Sequence, residues 1–247
     1  MKNKSLNIII FVLCIILVIV VILYIQNDKT YGYEEETSTS VTTTSTTTNV
    51  SINKSEIPDY NGNAVIEINF NKPEFSDIDY NTESFEIYSS LDSLGRCGVA
   101  YANIGVDLMP TEKRGSISNV KPSGWQSVKY DNVPGKYLYN RCHLIGYQLT
   151  GENDNDKNLI TCTRYMNATT MLYYEDLTAD YIKKTNNHVL YRVTPIYDED
   201  NLVAKGVQME ISSVEDKCNA LCYNVFLYNI QDGIDINYKT GASVRSE

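Results

Sequence analysis

The stretch Asn140-Arg141-Cys142-His143-Leu144-Ile145-Gly146-Tyr147, followed by Asn158-Leu159-Ile160-Thr161, decides how the fold and the chemistry of this chain are interpreted. It contains His143, one of only two histidines in the chain, two residues after Arg141. Asn167 and Glu175 follow at a spacing that fits a helix. A histidine that can exchange a proton, a nearby cation and oxygen ligands for a hard metal ion are the groups that metal-assisted hydrolysis uses.

Apolar and polar side chains alternate in several segments on both sides of this stretch, a pattern typical of half-buried β-strands. The predicted strands cover residues 64–70, 85–88, 97–103, 137–147, 189–197, 202–212 and 223–230. Between the fourth and the fifth, the apolar side chains recur at helical spacing until Asn186 and Asn187. Strands, one main helix and then strands again is the order of an α+β fold with a mainly antiparallel sheet.

The quoted stretch lies in a predicted strand, where neighbouring side chains point to opposite faces. Arg141 and His143 should therefore share one face, and Asn140 and Cys142 the other. Imidazole titrates near pH 6.5, so His143 is a candidate general base; a hydrogen-bonded histidine on a sheet face is the alternative. Cys142 is predicted to be a small core residue rather than a nucleophile paired with His143, because adjacent strand residues point apart.

These residues resemble the active site of the DNA/RNA non-specific endonuclease family, and most closely the secreted and DNA-entry nucleases of Gram-positive bacteria. The resemblance implies a ββα-metal finger in which His143 takes a proton from the attacking water and Arg141 acts beside it. It also implies that Asn167 binds Mg²⁺, with Mn²⁺ as an alternative ion. A regular helix would separate Asn167 and Glu175 by about 12 Å along its axis, so Glu175 is expected to act through metal-bound water.

Other positions match the family less specifically. By the resemblance, Asn158 supports the loop beneath the site, and Arg96 contacts substrate phosphate. Arg164 is predicted to bind substrate phosphate as part of a local basic cleft. Asn140 stands where the family has an aspartate, and it is expected to support the site. Some members carry an arginine one turn after the glutamate, where this chain has Ala179. One of the arginines already named is expected to take that role, or turnover is lower.

The charge of the chain does not favour a nucleic-acid enzyme. The formal net charge is −10, whereas nucleic-acid binding is driven by lysine and arginine side chains that displace counterions from phosphates. An acidic protein can still contain a locally positive cleft. A nuclease function therefore requires that arginines be concentrated around the site.

The N-terminal residues predict a membrane segment. Residues 8–25 are an unbroken apolar run, just long enough to span a bilayer. Lysines precede it and acidic residues follow it, which places the rest of the chain outside the cell. We expect an uncleaved signal anchor over residues 1–27, although a cleaved signal peptide is the alternative. A Ser/Thr-rich disordered linker over residues 28–57 and a catalytic domain over residues 58–247 complete the predicted organisation.

Five cysteines follow the apolar run, and an oxidising exterior would favour disulfides among them. They are Cys97, Cys142, Cys162, Cys218 and Cys222. Because five is odd, at most two bridges form and one thiol remains. The spacing leaves the pairing open, and isolated buried thiols are the alternative.

The resemblance therefore implies an extracellular, metal-dependent endonuclease. It would cleave DNA, with RNA as a second substrate class, and would bind the backbone without sequence preference. One alternative is a surface module of the same fold that binds nucleic acid with little or no catalysis. A thiol hydrolase that uses Cys142 or Cys162 is a third. The sequence does not indicate the oligomeric state.

Overall fold

A computed structural model describes residues 57–246 of the chain. The predicted membrane segment, and all of the predicted linker except Ile57, lie outside the described residues. Within residues 57–246, no helix has the length and apolar character that crossing a membrane requires.

The described part of the chain contains ten strands and two α-helices. The strands are β1 (Val65–Glu67), β2 (Phe85–Tyr88), β3 (Ala100–Ile104), β4 (Tyr139–His143), β5 (Leu159–Thr163), β6 (Val189–Ile196), β7 (Gly206–Ser213), β8 (Cys222–Tyr228), β9 (Ile234–Ile236) and β10 (Ser243–Arg245). The α-helices are α1 (Tyr147–Thr150) and α2 (Leu172–Thr185), and a π-helical segment, Met166–Met171, leads directly into α2.

Six strands form one antiparallel sheet in the order β1-β8-β7-β6-β3-β2. Strand β7, near its centre, is buried along its whole length, and its two faces differ. Val207, Met209 and Ile211 enter the main apolar core. Glu210, on the opposite face, accepts hydrogen bonds from Arg192 Nε and from the backbone NH of Glu74, at 2.6 and 2.8 Å. One face of β7 is therefore apolar, and on the other face Glu210 is paired with groups of neighbouring segments.

A ββα unit packs on the apolar face of this sheet. Strands β4 and β5 form a separate antiparallel pair, in which His143 lies opposite Leu159, and the chain then enters the π-helical segment and α2. Apolar side chains of this unit belong to the same core as those of β7. They include Leu144, Ile160, Met166, Met171, Ala179 and Ile182. The sheet thus forms a rigid base for the end of β4 and the start of the helix.

The α+β prediction is confirmed, and the element boundaries differ for physical reasons. The predicted strand over 85–88 agrees with β2, and the helix ends as predicted, because Asn186 adopts a left-handed conformation with φ 60°. Strand β1 is shorter than predicted because Asn69, Phe70 and Asn71 all have positive φ and turn the chain.

Two further differences concern strands. Strand β7 begins at Gly206, later than predicted, because the preceding connection pairs elsewhere: Val203 donates its backbone NH to Tyr238 O at 2.9 Å. Strand β5 was not predicted as a strand. All five of its residues are buried, so the segment lacks the alternation that identifies a half-buried strand.

Two disulfides form in the described part of the chain, and one thiol remains. Cys142 is bridged to Cys162, which ties β4 to β5, and Cys218 is bridged to Cys222. Cys97 is the free thiol, and it is buried. Cys142 is fully buried as predicted, but it is a bridge partner as well as a core residue. The thiol-hydrolase alternative is wrong for this bridged form, since neither Cys142 nor Cys162 has a free thiol.

Candidate active site

A cavity of about 350 Å³ opens where the end of β4 faces the start of the long helix. The segment that follows β4 and the loop before it complete its wall. The lining residues are Arg114, His143, Gly146, Tyr147, Gln148, Arg164, Asn167, Ala168, Leu172 and Glu175. The ββα order of the chain therefore brings the predicted base, the predicted metal ligand and the predicted carboxylate to one cavity.

His143 is oriented by a backbone carbonyl. It is 6% exposed, and its Nε2 lies 2.7 Å from Asn153 O. A carbonyl oxygen only accepts hydrogen bonds, so Nε2 carries the proton and Nδ1 keeps its lone pair. Nδ1 lies 3.5 Å from Arg114 Nη2. Burial lowers the pKa of His143 to about 4, and the charge of Arg114 contributes. The ring is therefore neutral at physiological pH and can accept a proton at Nδ1.

Glu175 lies in the first turn of α2 and is partly buried. Burial raises the pKa of its carboxyl to about 7, and the neighbouring charge of Asp176 adds to this effect. Gly146 leaves the room that the carboxylate occupies, because a Cβ at position 146 would lie 2.7 Å from Glu175 Cδ. The position of Glu175 therefore depends on a glycine in a different element.

Asn167 lies in the π-helical segment, not in a regular α-helix. Single π-helical turns within α-helices are frequent at functional sites. The expected separation of about 12 Å from Glu175 assumed a regular helix throughout. That assumption is wrong over Met166–Met171, and Asn167 and Glu175 line the same cavity. The Asn167 amide makes no hydrogen bond within residues 57–246, so its oxygen is free to bind a ligand.

Asn158 lies beneath the cavity and is fully buried. Its Oδ1 accepts from Ile145 N at 2.9 Å, and its Nδ2 donates to Ile145 O at 3.0 Å. A single side chain thus pairs with both backbone groups of one residue in the segment after His143. This position fits the support of the loop that the sequence predicts for Asn158.

A second cavity, of about 470 Å³, adjoins the first. Arg114, Arg164 and Asn167 line both cavities. The other residues that line the second are Ile117, Trp125, Ser127, Tyr137, Tyr139, Asn140 and Arg141.

Arg141 lies in the second cavity and does not line the first. Its guanidinium lies over the ring of Trp125, 4.0 Å from the centroid. It donates to the backbone carbonyls of Ser118, at 2.9 Å, and of Val120. The prediction that Arg141 acts directly beside His143 therefore requires correction. The two share a strand face, but the long arginine side chain is directed to a different cavity.

Arg96 also requires correction. Its Nε binds Asp92 Oδ2 at 2.7 Å, and its Nη1 donates to Glu199 O and Asn201 O at 2.8 and 3.0 Å. Its guanidinium lies 4.7 Å from the ring centroid of Tyr197. Arg96 lines neither cavity. Because its charge and its donors are used to hold loops together, it is not placed to bind substrate phosphate.

Arg114 was missed by the sequence interpretation. It lies in a segment predicted only as a loop, without a motif around it; the adjacent Lys113 is the one signal of a basic site. Arg114 contacts His143, lines both cavities and acts on the pKa of Glu175. Within residues 57–246, Arg114, Arg141 and Arg164 form no salt bridge. Three arginines without a carboxylate partner are therefore concentrated at the two cavities.

The remaining predicted residues lie at the edge of these cavities. Arg164 lines both cavities, and its Nη1 donates to Asn140 Oδ1 at 3.4 Å. Asn140 thus supports an arginine of the site from the second cavity. Ala179 is 1% exposed and belongs to the main core, so an arginine at that position of this chain would be buried.

The donors in the first cavity suit a hard divalent ion. No three His, Cys, Asp or Glu side chains of residues 57–246 are grouped so that they could hold a metal. The oxygen donors that line the cavity include the unpaired amide of Asn167 and the carboxylate of Glu175. Mg²⁺ binds through one or two protein oxygens and keeps several waters. The small donor set therefore fits a hydrated ion rather than a closed structural site.

Comparison with known proteins gives a consistent result. Residues 76–215 match the family described as DNA/RNA non-specific endonuclease. The crystal structure of NucA from Streptococcus agalactiae with magnesium ion bound aligns over 74% of this chain and 87% of that one, with 25% identity and a TM-score of 0.66. The same protein with no metal bound has 26% identity and a TM-score of 0.65 over the same shares. Sda1 nuclease with bound zinc ion covers 66% of this chain and 81% of its own, with 28% identity and a TM-score of 0.55.

Proposed function

We propose that this chain hydrolyses phosphodiester bonds of DNA, and of RNA as a second substrate, with the help of one divalent metal ion. The chain belongs to the DNA/RNA non-specific endonuclease family. The observation that carries the proposal is the cavity that His143, with its Nε2 bound to the Asn153 carbonyl, lines together with Asn167 and Glu175.

His143 acts as the general base. Its Nδ1 takes a proton from a water molecule as that water attacks the phosphorus in line with the departing oxygen. The hydrogen bond from Nε2 to the Asn153 carbonyl stabilises the imidazolium that results, because the carbonyl dipole faces the protonated ring. Proton transfer of this kind typically contributes about 10²–10⁴-fold to the rate.

Asn167 would hold the ion through its amide oxygen, and Glu175 would hold waters bound to the ion. Mg²⁺ is the ion that these oxygen donors suit best, with Mn²⁺ as the alternative. When bound, the ion neutralises charge on the phosphate and on the departing oxygen. The magnesium reported for NucA, which resembles this chain in fold, supports this choice.

Arg114 and Arg164 bind phosphates on either side of the bond that is cleaved, because both line the two cavities and neither is paired with a carboxylate. Contacts to phosphates position a strand without reading its sequence. The substrate is therefore nucleic acid without a defined recognition sequence. We further propose that residues 1–27 anchor this activity in the cell membrane with the enzyme outside, or that the protein is released after cleavage.

The experiment that tests the function uses the full chain and supercoiled plasmid DNA. With Mg²⁺ we expect nicked and linear products; EDTA should abolish them, and His143→Ala should lower their rate without loss of folding. The alternative, a surface module that binds nucleic acid without catalysis, is favoured by the net charge and by Ala179. Binding of the plasmid without nicking in Mg²⁺ or Mn²⁺ would replace our proposal with that alternative.

A further inference from the structure

We propose that the second cavity binds one nucleobase of the strand being cleaved, and that this subsite favours unpaired strands over intact duplex. The inference rests on the proposed function, because it names what the neighbouring cavity does for the same substrate. It goes beyond backbone binding, since it assigns a site to a base.

The second cavity is lined by aromatic side chains and by a guanidinium. The guanidinium of Arg141 is held in place by the ring of Trp125 and by two backbone carbonyls. Tyr137 is 48% exposed, with Lys129 Nζ 4.5 Å from its ring centroid. Bases in single strands stack on aromatic rings and on arginine planes. Trp125, Arg141 and Tyr137 therefore supply the surfaces that an unstacked base would use.

The hydroxyl of Tyr139 and the amide Nδ2 of Asn140 have no hydrogen-bond partner within residues 57–246, but neither atom is exposed, so a base in the cavity would not reach them. The subsite would therefore act through stacking. Every base has a π-face, so stacking discriminates little among the bases, which agrees with non-specific cleavage.

The position of the cavity places this base next to the bond that is cleaved. Arg114, Arg164 and Asn167 separate the two cavities and line both. A phosphate held by these residues near His143 would therefore have its attached or adjacent nucleoside at the second cavity. In a duplex that base is stacked and paired, and extracting it has a free-energy cost that is smallest for single strands.

The test uses the full chain and single-stranded DNA oligonucleotides, either intact or with one abasic site. Cleavage in Mg²⁺ is mapped bond by bond. We expect the abasic site to reduce cleavage at one adjacent bond by about 5- to 150-fold, the range for loss of one base–aromatic stack. Bonds farther away should be cleaved as before. An unchanged cleavage map would overturn the base subsite while leaving the nuclease function intact.

Binding of the same oligonucleotides in EDTA keeps the two proposals separate. Fluorescence anisotropy should show weaker binding of a short strand when the abasic site replaces the base. Base-dependent binding without any cleavage in Mg²⁺ would refute catalysis and support the subsite. Equal binding of intact and abasic strands, together with an unchanged map, would refute the subsite.

Tyr137→Leu removes an exposed ring of the second cavity. We expect kcat/KM on intact single strands to fall about 5- to 150-fold, the effect of losing one base–aromatic stack, with no further loss on the abasic strand. Tyr173→Leu is the matched control, because Tyr173 is also exposed and lines neither cavity. Equal losses on intact and abasic strands would show that Tyr137 acts only structurally and would overturn its role in binding the base.

Discussion

The two adjoining cavities share Arg114, Arg164 and Asn167 and differ in their ionisable groups. In the first, burial shifts the pKa of His143 down and that of Glu175 up, so both groups are driven toward their neutral forms. In the second, Arg141 keeps its charge and lies against Trp125. Proton transfer needs a group that can exchange its proton, whereas strand binding needs permanent charge and surfaces for stacking. Under the proposed function, the two cavities would divide these tasks between them.

The largest effect should come from the base. His143→Ala should lower turnover about 10²–10⁴-fold, because it removes the proton acceptor. His188→Ala is the matched control: His188 binds Glu215 through Nδ1 at 2.8 Å and lines neither cavity. Rates of plasmid nicking measure both, and circular dichroism checks the folding. Comparable losses in the two variants would mean that the first cavity is not where protons are transferred.

The next effect separates the two metal-site residues. Asn167→Ala should raise the Mg²⁺ requirement sharply or eliminate activity, because it removes the proposed direct ligand. Glu175→Gln should cost about 10–100-fold and leave activity at high Mg²⁺, as is typical of groups that act through a ligand. Gly146→Ala should resemble Glu175→Gln, since the new methyl group would displace the carboxylate.

A Mg²⁺ titration of plasmid nicking compares these three variants with wild type. Complete loss in both Asn167→Ala and Glu175→Gln would indicate that the π-helical segment lets Glu175 bind the ion directly. Unchanged metal dependence in Asn167→Ala would show that the ion lies elsewhere.

A smaller effect should identify the arginines that bind phosphate. Counterion release gives a slope of log affinity against log salt of about −0.9 per phosphate contact on duplex DNA. Arg114→Ala should therefore reduce the magnitude of the slope by about one contact. Arg96→Ala should leave the slope unchanged and lower the unfolding temperature, because Arg96 holds Asp92 and two loop carbonyls. The opposite pattern would restore Arg96 as the phosphate ligand.

The smallest effect concerns pH and stability in EDTA. The pKa of Glu175 is raised in the folded state, so folding favours its protonated form, and stability falls as pH rises from about 4.5 to about 7. Glu175→Gln should remove this loss. Its unfolding temperature should exceed that of wild type at pH 8 by roughly 2–4 °C, the shift that about 1 kcal/mol produces in a domain of this size. The difference should shrink at pH 4.5; a difference that is equal at both pH values would contradict the raised pKa.

Elements with a clear hydrophobic periodicity were predictable from the sequence, and so were the site residues that match a family motif. The helix around Glu175 and strand β2 followed from periodicity, and His143, Asn167 and Glu175 came to one cavity in the order that the resemblance implied. The π-helical segment was not predictable in this way, because its residues also fit an α-helical pattern. Arg114 was missed because a loop has no periodicity that could relate it to a distant cavity.

Long side chains were a second source of error. Strand alternation placed Arg141 and His143 on one face, but it does not specify where a flexible side chain ends. The contacts with Trp125 and with the carbonyls of Ser118 and Val120 decide that, and they come from a loop that the sequence pattern leaves unplaced. Arg96 shows the same limit, since its partners in the 199–201 loop are distant in the chain.

The carbonyl that orients His143 belongs to the main chain, and this matters for how the site can evolve. A substitution at Asn153 changes the side chain and leaves the carbonyl in place. It should therefore not change which nitrogen of His143 carries the proton. The orientation of His143 depends on the backbone path of the loop that carries this carbonyl. Insertions or deletions between Gly151 and Asn155 should therefore disturb the orientation of His143 more than a replacement of the Asn153 side chain.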